Sequence, residues 1–171
     1  MNFSKQGNYP FKLKRNCSKM GSNRTYAMIK PDAIQRGLVG RIIQRFEDKG
    51  MQLLGLKMKM ADDDILEEHY ADLKERPFYE TLIDYIKSGP VVCMIWSGNE
   101  AVSSARSIIG ATNPSPASNG TIRADFGQIA GRNLIHGADS DESAEKEIGL
   151  WFNEDEIVEY ESSLKQWILD C

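Results

Sequence analysis

Apolar residues along this chain change period several times, and each change predicts an element. Tyr26-Ala27-Met28-Ile29 is a short unbroken apolar stretch stopped by Lys30-Pro31-Asp32, a buried strand ended by a residue with no N–H to extend a ladder. Val39, Ile42, Ile43 and Phe46 recur at i, i+3, i+4 and i+7, one stripe of a helix that Gly50 closes. Leu54, Leu56, Met58 and Met60 alternate with Gly55, Lys57 and Lys59, which predicts a strand with one buried face. Residues 62–73 open on three aspartates and carry Ile65, Leu66, Tyr70 and Leu73, an amphipathic helix with its acids at the positive end of the helix dipole. A second short helix over 79–87 is closed by Gly89-Pro90.

The longest apolar run, Val91-Val92-Cys93-Met94-Ile95-Trp96, predicts the most buried strand and is far too short to span a bilayer. In the helix that follows, Ala101, Val102, Ala105, Ile108 and Ile109 point inward, with Arg106 elsewhere on its surface. Residues 110–132, with Asn113-Pro114, Pro116 and Asn119-Gly120, are the least regular part; so long a loop inside a compact domain is usually functional. Leu134-Ile135 makes a brief strand before His136-Gly137. Asp139 or Ser140 caps a helix carrying Ala144, Ile148, Trp151 and Phe152, and a last amphipathic helix is expected around Ile157–Leu169. The periods alone give an α+β chain.

The length of 171 residues suits one domain with a core of useful size. Net charge is −4, but residues 1–24 hold six bases (Lys5, Lys12, Lys14, Arg15, Lys19, Arg24) and no acid, leaving 15 bases against 25 acids in the body. An acidic body argues against nucleic acid as the main partner. Residues 1–23 lack hydrophobic periodicity and are expected to be a disordered basic leader preceding a domain over 24–171. A presequence is weakened by the single Arg15 and by Tyr9-Pro10-Phe11, and Met20-Gly21-Ser22-Asn23-Arg24-Thr25 matches an acylation pattern only if translation began at Met20. Cys17, Cys93 and Cys171 form no disulfide or metal pattern, which fits a reducing compartment, with Cys93 a small core residue.

Two histidines exist. His69, within Glu67-Glu68-His69-Tyr70, reads as a surface or packing residue; His136 follows an apolar pair and precedes an acidic helix start. No set of histidine, cysteine and carboxylate has zinc-ligand spacing, and no Walker-type glycine loop is present. Gly37-Leu38-Val39-Gly40 is better taken as a turn than as a phosphate loop.

Eight blocks, in order, resemble the nucleoside diphosphate kinase family: Arg24-Thr25-Tyr26-Ala27-Met28-Ile29-Lys30-Pro31-Asp32, Gln35-Arg36-Gly37-Leu38-Val39-Gly40, His69-Tyr70, Arg76-Pro77-Phe78, Ser88-Gly89-Pro90-Val91, Thr112-Asn113-Pro114, Gly120-Thr121-Ile122-Arg123-Ala124-Asp125-Phe126, and Asn133 through His136-Gly137 to Asp139-Ser140. The resemblance runs from about Arg24 to Trp167. It implies a ferredoxin-like βαββαβ antiparallel sheet with helices on one face. It also implies transfer of the γ-phosphate of a nucleoside triphosphate to a nucleoside diphosphate, in two half-reactions, through a phosphorylated His136.

Carried over residue by residue, the resemblance makes Glu147 the carboxylate that orients the His136 ring. Lys30, Arg106 and Arg123 become the phosphate-binding cations, and Tyr70 and Thr112 hydroxyls near the phosphates. Asn133 and Lys30 match contacts to the sugar 3′-hydroxyl. Phe78 is the platform on which the base stacks, with Leu82 on its flank. Magnesium would arrive with the nucleotide, Asp139 touching at most its water shell. Taken singly, these residues have plainer readings: Phe78 as core, Arg106 as a solvated helix residue, Arg123 as a loop residue paired with an acid. A departure is Ala138, where relatives carry a serine that helps hold the glutamate; an active enzyme, somewhat slower or less heat-stable, is expected. The resemblance further implies a cytoplasmic homo-hexamer, with tetramers also known in the family. The competing readings are a non-catalytic nucleotide-binding scaffold on the same fold and a protein- or DNA-interaction role.

Overall fold

The computed structural model describes residues 23–168. Expectations about the leader, Cys17 and Cys171 therefore lie outside the described residues, except at Asn23. Strands β1 (Arg24–Ile29), β2 (Gln52–Lys59), β3 (Val91–Ser97) and β4 (Ile135–Gly137) form one antiparallel sheet in the order β2-β3-β1-β4. This is the strand order of the expected ferredoxin-like sheet. Between and after the strands lie α1 (Pro31–Gln35), α2 (Val39–Asp48), α3 (Asp63–His69), α4 (Tyr79–Lys87), α5 (Ala101–Ile109), α6 (Ile122–Phe126), α7 (Asp141–Trp151) and α8 (Lys165–Ile168). Among the described residues no helix is long and apolar enough to cross a membrane.

Helices cover both faces of the sheet rather than the one face expected. Ala27, Ile29, Val92, Met94 and Trp96 pack with α2 and α5, while Tyr26, Met28, Val91, Cys93 and Ile95 pack with α3, α4 and α7. The cause is in the strands: β1 and β3 are apolar at successive positions, so both sides of the central pair must be removed from water. Cys93 lies in that core, as expected.

Three other expectations change. The face of β2 expected to be buried turns outward in its second half, leaving Leu56, Met58 and Met60 at least half exposed. β2 is an edge strand, and the pairing with β3 shifts register between Leu53 and Gly55, which breaks the simple alternation. The helix expected around Ile157–Leu169 is reduced to the short α8. Val158 N–H donates to Leu54 O at 2.8 Å and Gln52 Nε2 to Tyr160 O at 2.6 Å, so this stretch is tied in extended form beside β2. The irregular region contains α6, capped by Thr121, whose hydroxyl oxygen accepts from Ala124 N–H. At α7 the cap is Ser140, with Oγ accepting from Ser143 N–H at 3.0 Å.

The core interaction most open to test is the Trp96–Phe46 stack, with ring centroids 4.9 Å apart and Trp96 fully buried. Trp96→Ala should cost about 3–5 kcal/mol of unfolding free energy in urea titrations, and a loss below about 1 kcal/mol would contradict this packing.

Candidate active site

Pairing of β4 with β1 sets Met28 opposite His136. Residues opposite one another share a face, so His136 projects to the side where Met28 packs with α3 and α7. The turn into β4 is held from several directions. Lys30 N–H donates to Leu134 O at 2.8 Å, and Leu134 N–H donates to Asp32 Oδ2 at 3.2 Å. The other Asp32 oxygen accepts from the Tyr85 hydroxyl at 2.5 Å. Leu134 is fully buried with φ of 74°, a left-handed conformation that costs a non-glycine residue about 1–2 kcal/mol and persists because these bonds over-determine it. At Gly137 a Cβ would lie 2.5 Å from Ile109 Cδ1, so glycine lets α5 approach the strand.

Three cations gather at this strand. Lys30 Nζ donates to Asn133 Oδ1 at 2.8 Å, and Asn133 Nδ2 donates on to Thr112 O at 3.1 Å. Arg123 spends its fork on carbonyls: Nε to Asn133 O at 3.2 Å, Nη1 to Gly110 O at 3.0 Å and Nη2 to Ile135 O at 2.6 Å. Arg106 Nη1 reaches Gly137 O at 3.4 Å. None of the three forms a salt bridge among the described residues. Carbonyl oxygens position these cations without cancelling their charge. The cost shows in their acidity: burial, with Arg123 nearby, pulls Lys30 down to about 8, and burial, with Arg106 nearby, pulls Arg123 down to about 10.

His136 Nε2 lies 2.8 Å from Glu147 Oε2. Burial, with Lys30, Arg123 and Arg106 around it, pushes His136 down to about 3, so the ring is neutral at pH 7. Burial raises Glu147 to about 7 against the pull of His69. With Glu147 ionised, Nε2 must carry the proton and donate it, which leaves a lone pair on Nδ1. No described residue hydrogen-bonds to that nitrogen. The Tyr70 hydroxyl is buried without a partner, and burial holds its pKa far above neutrality, so it remains a donor awaiting an acceptor. A neutral nucleophilic nitrogen beside cations without acidic partners suits attack on a phosphorus of a polyanion.

Other predicted residues fall around this centre less closely. Phe78 is about half exposed at the head of α4, and Leu82 follows one turn later, its N–H bonded to Phe78 O, so the pair forms an outward apolar step. Thr112 is exposed and joined to the centre through Asn133. Asp139 is exposed and near enough to influence both His136 and Glu147. Ala138 is buried with Val102 and Ala144 and has no side-chain donor, and among the described residues the Glu147 carboxylate is hydrogen-bonded only to His136.

His69, a surface or packing residue by its sequence position, is a packing residue of this centre in the structure. Its ring centroid is 4.6 Å from that of His136, and its Nδ1 accepts from Trp151 Nε1 at 3.1 Å. One nitrogen from each histidine and one Glu147 oxygen lie within 4.8 Å of one another, a grouping absent from the sequence spacing because α3, β4 and α7 come together only in space. Indole N–H can only donate, so His69 Nδ1 keeps its lone pair and Nε2 carries the proton. The sequence did carry a signal: His69 stands three residues after Leu66, on the stripe that Tyr70 and Leu73 continue.

A family profile of nucleoside diphosphate kinases matches residues 23–157. The chain belongs to the nucleoside diphosphate kinase family. It is 56% identical over 147 residues to nucleoside diphosphate kinase A of Homo sapiens, covering 86% of this chain and 97% of that protein. Against the nucleoside diphosphate kinase of Brevibacillus brevis it is 51% identical over 145 residues, covering 85% and 99%. Among solved structures, a halophilic nucleoside diphosphate kinase from Halobacterium salinarum in complex with CDP superposes with a TM-score of 0.83 at 44% identity, covering 85% and 97%. The apo enzyme of Encephalitozoon cuniculi gives 0.82 at 49%, covering 86% and 99%. Nucleoside diphosphate kinase activity, a phosphotransferase reaction on nucleotides, is thus the function of this chain.

The site's geometry rests on the Asp32 bridge, which can be broken alone. Asp32→Ala strands the Tyr85 hydroxyl and the Leu134 N–H, so it should lower unfolding free energy by about 2–4 kcal/mol in urea melts. A change within experimental error would show that the bridge does not hold the turn.

Proposed function

We propose that His136 is the phosphoryl carrier and that Nδ1 is the attacking atom. The observation that carries this reading is the Nε2–Glu147 hydrogen bond, which commits one ring nitrogen and frees the other beside Lys30, Arg106 and Arg123. In the first half-reaction the Nδ1 lone pair forms a bond to the γ-phosphorus while the bond to the β-phosphate oxygen breaks, and the nucleoside diphosphate leaves. The ring becomes a phosphoimidazolium whose Nε2–H charge is met by Glu147. In the second half an incoming diphosphate attacks the same phosphorus and restores neutral His136. Lys30, Arg106 and Arg123 take up charge on the transferring oxygens, which is where most of the catalytic effect of such a site arises.

The Tyr70 and Thr112 hydroxyls serve the phosphates, and Asn133 and Lys30 the sugar 3′-hydroxyl. The base lies on Phe78 with Leu82 at its edge; stacking without edge contacts accepts every common base. Magnesium would enter with the nucleotide substrate and would supply positive charge to its phosphates. The donors facing the centre are mostly cationic or nitrogenous, which does not suit a hard dication, and Asp139 would touch at most its water shell.

The same reading places the enzyme in the cytoplasm as a homo-hexamer acting on di- and triphosphates of several bases. Leu56, Met58 and Met60 on the open edge of the sheet support association. Sedimentation at micromolar concentration should give a hexamer; a monomer would refute the assembly.

His136→Gln should abolish transfer between nucleotides while CDP still binds, read by calorimetry; residual turnover above about one part in a thousand would remove His136 as carrier. The pH profile gives a second test. Protonated Glu147 would donate to Nε2 and drive the ring proton onto Nδ1, so single-turnover phosphorylation should fall as pH drops through about 7. In Glu147→Gln the amide oxygen accepts from Nε2–H at any pH, and that acid limb should disappear.

A further inference from the structure

His69 takes no part in the chemistry above, yet it sits against its centre in a fixed protonation state. Trp151 can only donate, so His69 Nδ1 is an acceptor. Burial, with His136 beside it, pushes His69 down to about 3, so the ring is neutral and its single proton is on Nε2. That Nε2 is buried and has no hydrogen-bond partner. Nδ1 is committed to Trp151, and a His69 nitrogen lies within 4.8 Å of both a His136 nitrogen and a Glu147 oxygen. Among the described residues the Glu147 carboxylate, for its part, is hydrogen-bonded only to His136. A donor without an acceptor and a carboxylate with spare lone pairs thus belong to one buried cluster.

We propose that His69 is a positioning residue for phosphoryl transfer: pinned by Trp151, it directs its Nε2–H toward the His136–Glu147 pair and keeps the Glu147 carboxylate ionised and turned to the His136 ring. The proposal rests on His136 as the carrier. The other groups influencing Glu147 are Asp139 and Lys146, with Tyr26 and Tyr70 on the buried side; His69 is influenced also by Lys30. Asp139 works against an ionised Glu147, and the tyrosine rings lack an indole fixing their hydrogens. Among the described groups around Glu147, His69 combines a fixed hydrogen with an unmet need for an acceptor.

The test compares His69→Phe, which keeps a ring and removes both nitrogens, with His69→Gln, which restores an N–H donor near the Nε2 position. Both are read by single-turnover phosphorylation with ATP across pH. His69→Phe should slow the step at pH 7 by about two- to twelvefold with little change in the KM for ATP. It should also move the acid limb upward by about half to one pH unit, because an ionised Glu147 has lost a donor. His69→Gln should recover much of both. A limb that stays or moves down in His69→Phe overturns the proposal, as does a glutamine variant no better than phenylalanine. Nitrogen-15 NMR of the wild-type imidazoles tests it without any substitution: a proton on His69 Nε2 is expected, and one on Nδ1 overturns it. If ATP leaves no phosphate on wild-type His136, the carrier assignment falls instead, and the tautomer still decides whether His69 is poised as described.

Discussion

The attachment of a three-residue strand to the end of β1 is the constraint on which the rest of the site depends. β4 is too short to hold itself by ladder bonds, so residues 133–138 are tied down group by group. Leu134 O accepts from Lys30 and Leu134 N–H donates to Asp32; Asn133 O and Ile135 O accept from Arg123; Gly137 O accepts from Arg106; Ala138 N–H donates to Tyr26 O. The arginine bonds that fix the strand bring two cations to it, and Lys30 Nζ joins them through Asn133 Oδ1. Structure and electrostatics are therefore one arrangement here: β4 cannot be placed without placing the charges, nor the charges without the strand.

Those charges are kept unneutralised at a cost. A buried lysine and arginine would ordinarily be paired with acids, and the body of this chain has acids in excess. Carbonyl oxygens satisfy the hydrogen-bonding demand and leave the net charge in place, which keeps Lys30 and Arg123 less basic than usual and His136 neutral. The buried acid of the centre, Glu147, is hydrogen-bonded to His136 rather than to a cation. A centre so arranged keeps buried positive charge available to an anion at a cost to the empty protein.

Away from the site, the departures from simple periodicity share one origin. The outward Leu56, Met58 and Met60 and the extended stretch from Ile157 to Tyr160 both lie at the β2 edge, where the sheet has no further strand on which to bury a face. Pattern rules assume that an apolar stripe finds its cover within the same chain; at an open edge that assumption fails.

Much of the fold was legible in the sequence because β1, β3, α2, α5 and α7 are local patterns: unbroken runs of apolar residues and stripes at helical spacing report burial directly. The run Val91–Trp96 marked the most buried strand, although the cover on its second face was not expected. The candidate residues were legible only jointly, through the resemblance; Lys30, Arg106 and Arg123 carry no meaning singly. Tertiary structure alone decided what lies beside what. Glu147 occupies the stripe of Ala144, Ile148 and Trp151, and His69 that of Leu66, Tyr70 and Leu73, yet nothing local says that the two stripes face each other across His136. Periodicity records how much of a side chain leaves water. It is silent on which buried polar group meets which, because that depends on strand order and helix docking among residues far apart in the chain, and those contacts set both the neutral state of His136 and the tautomer of His69.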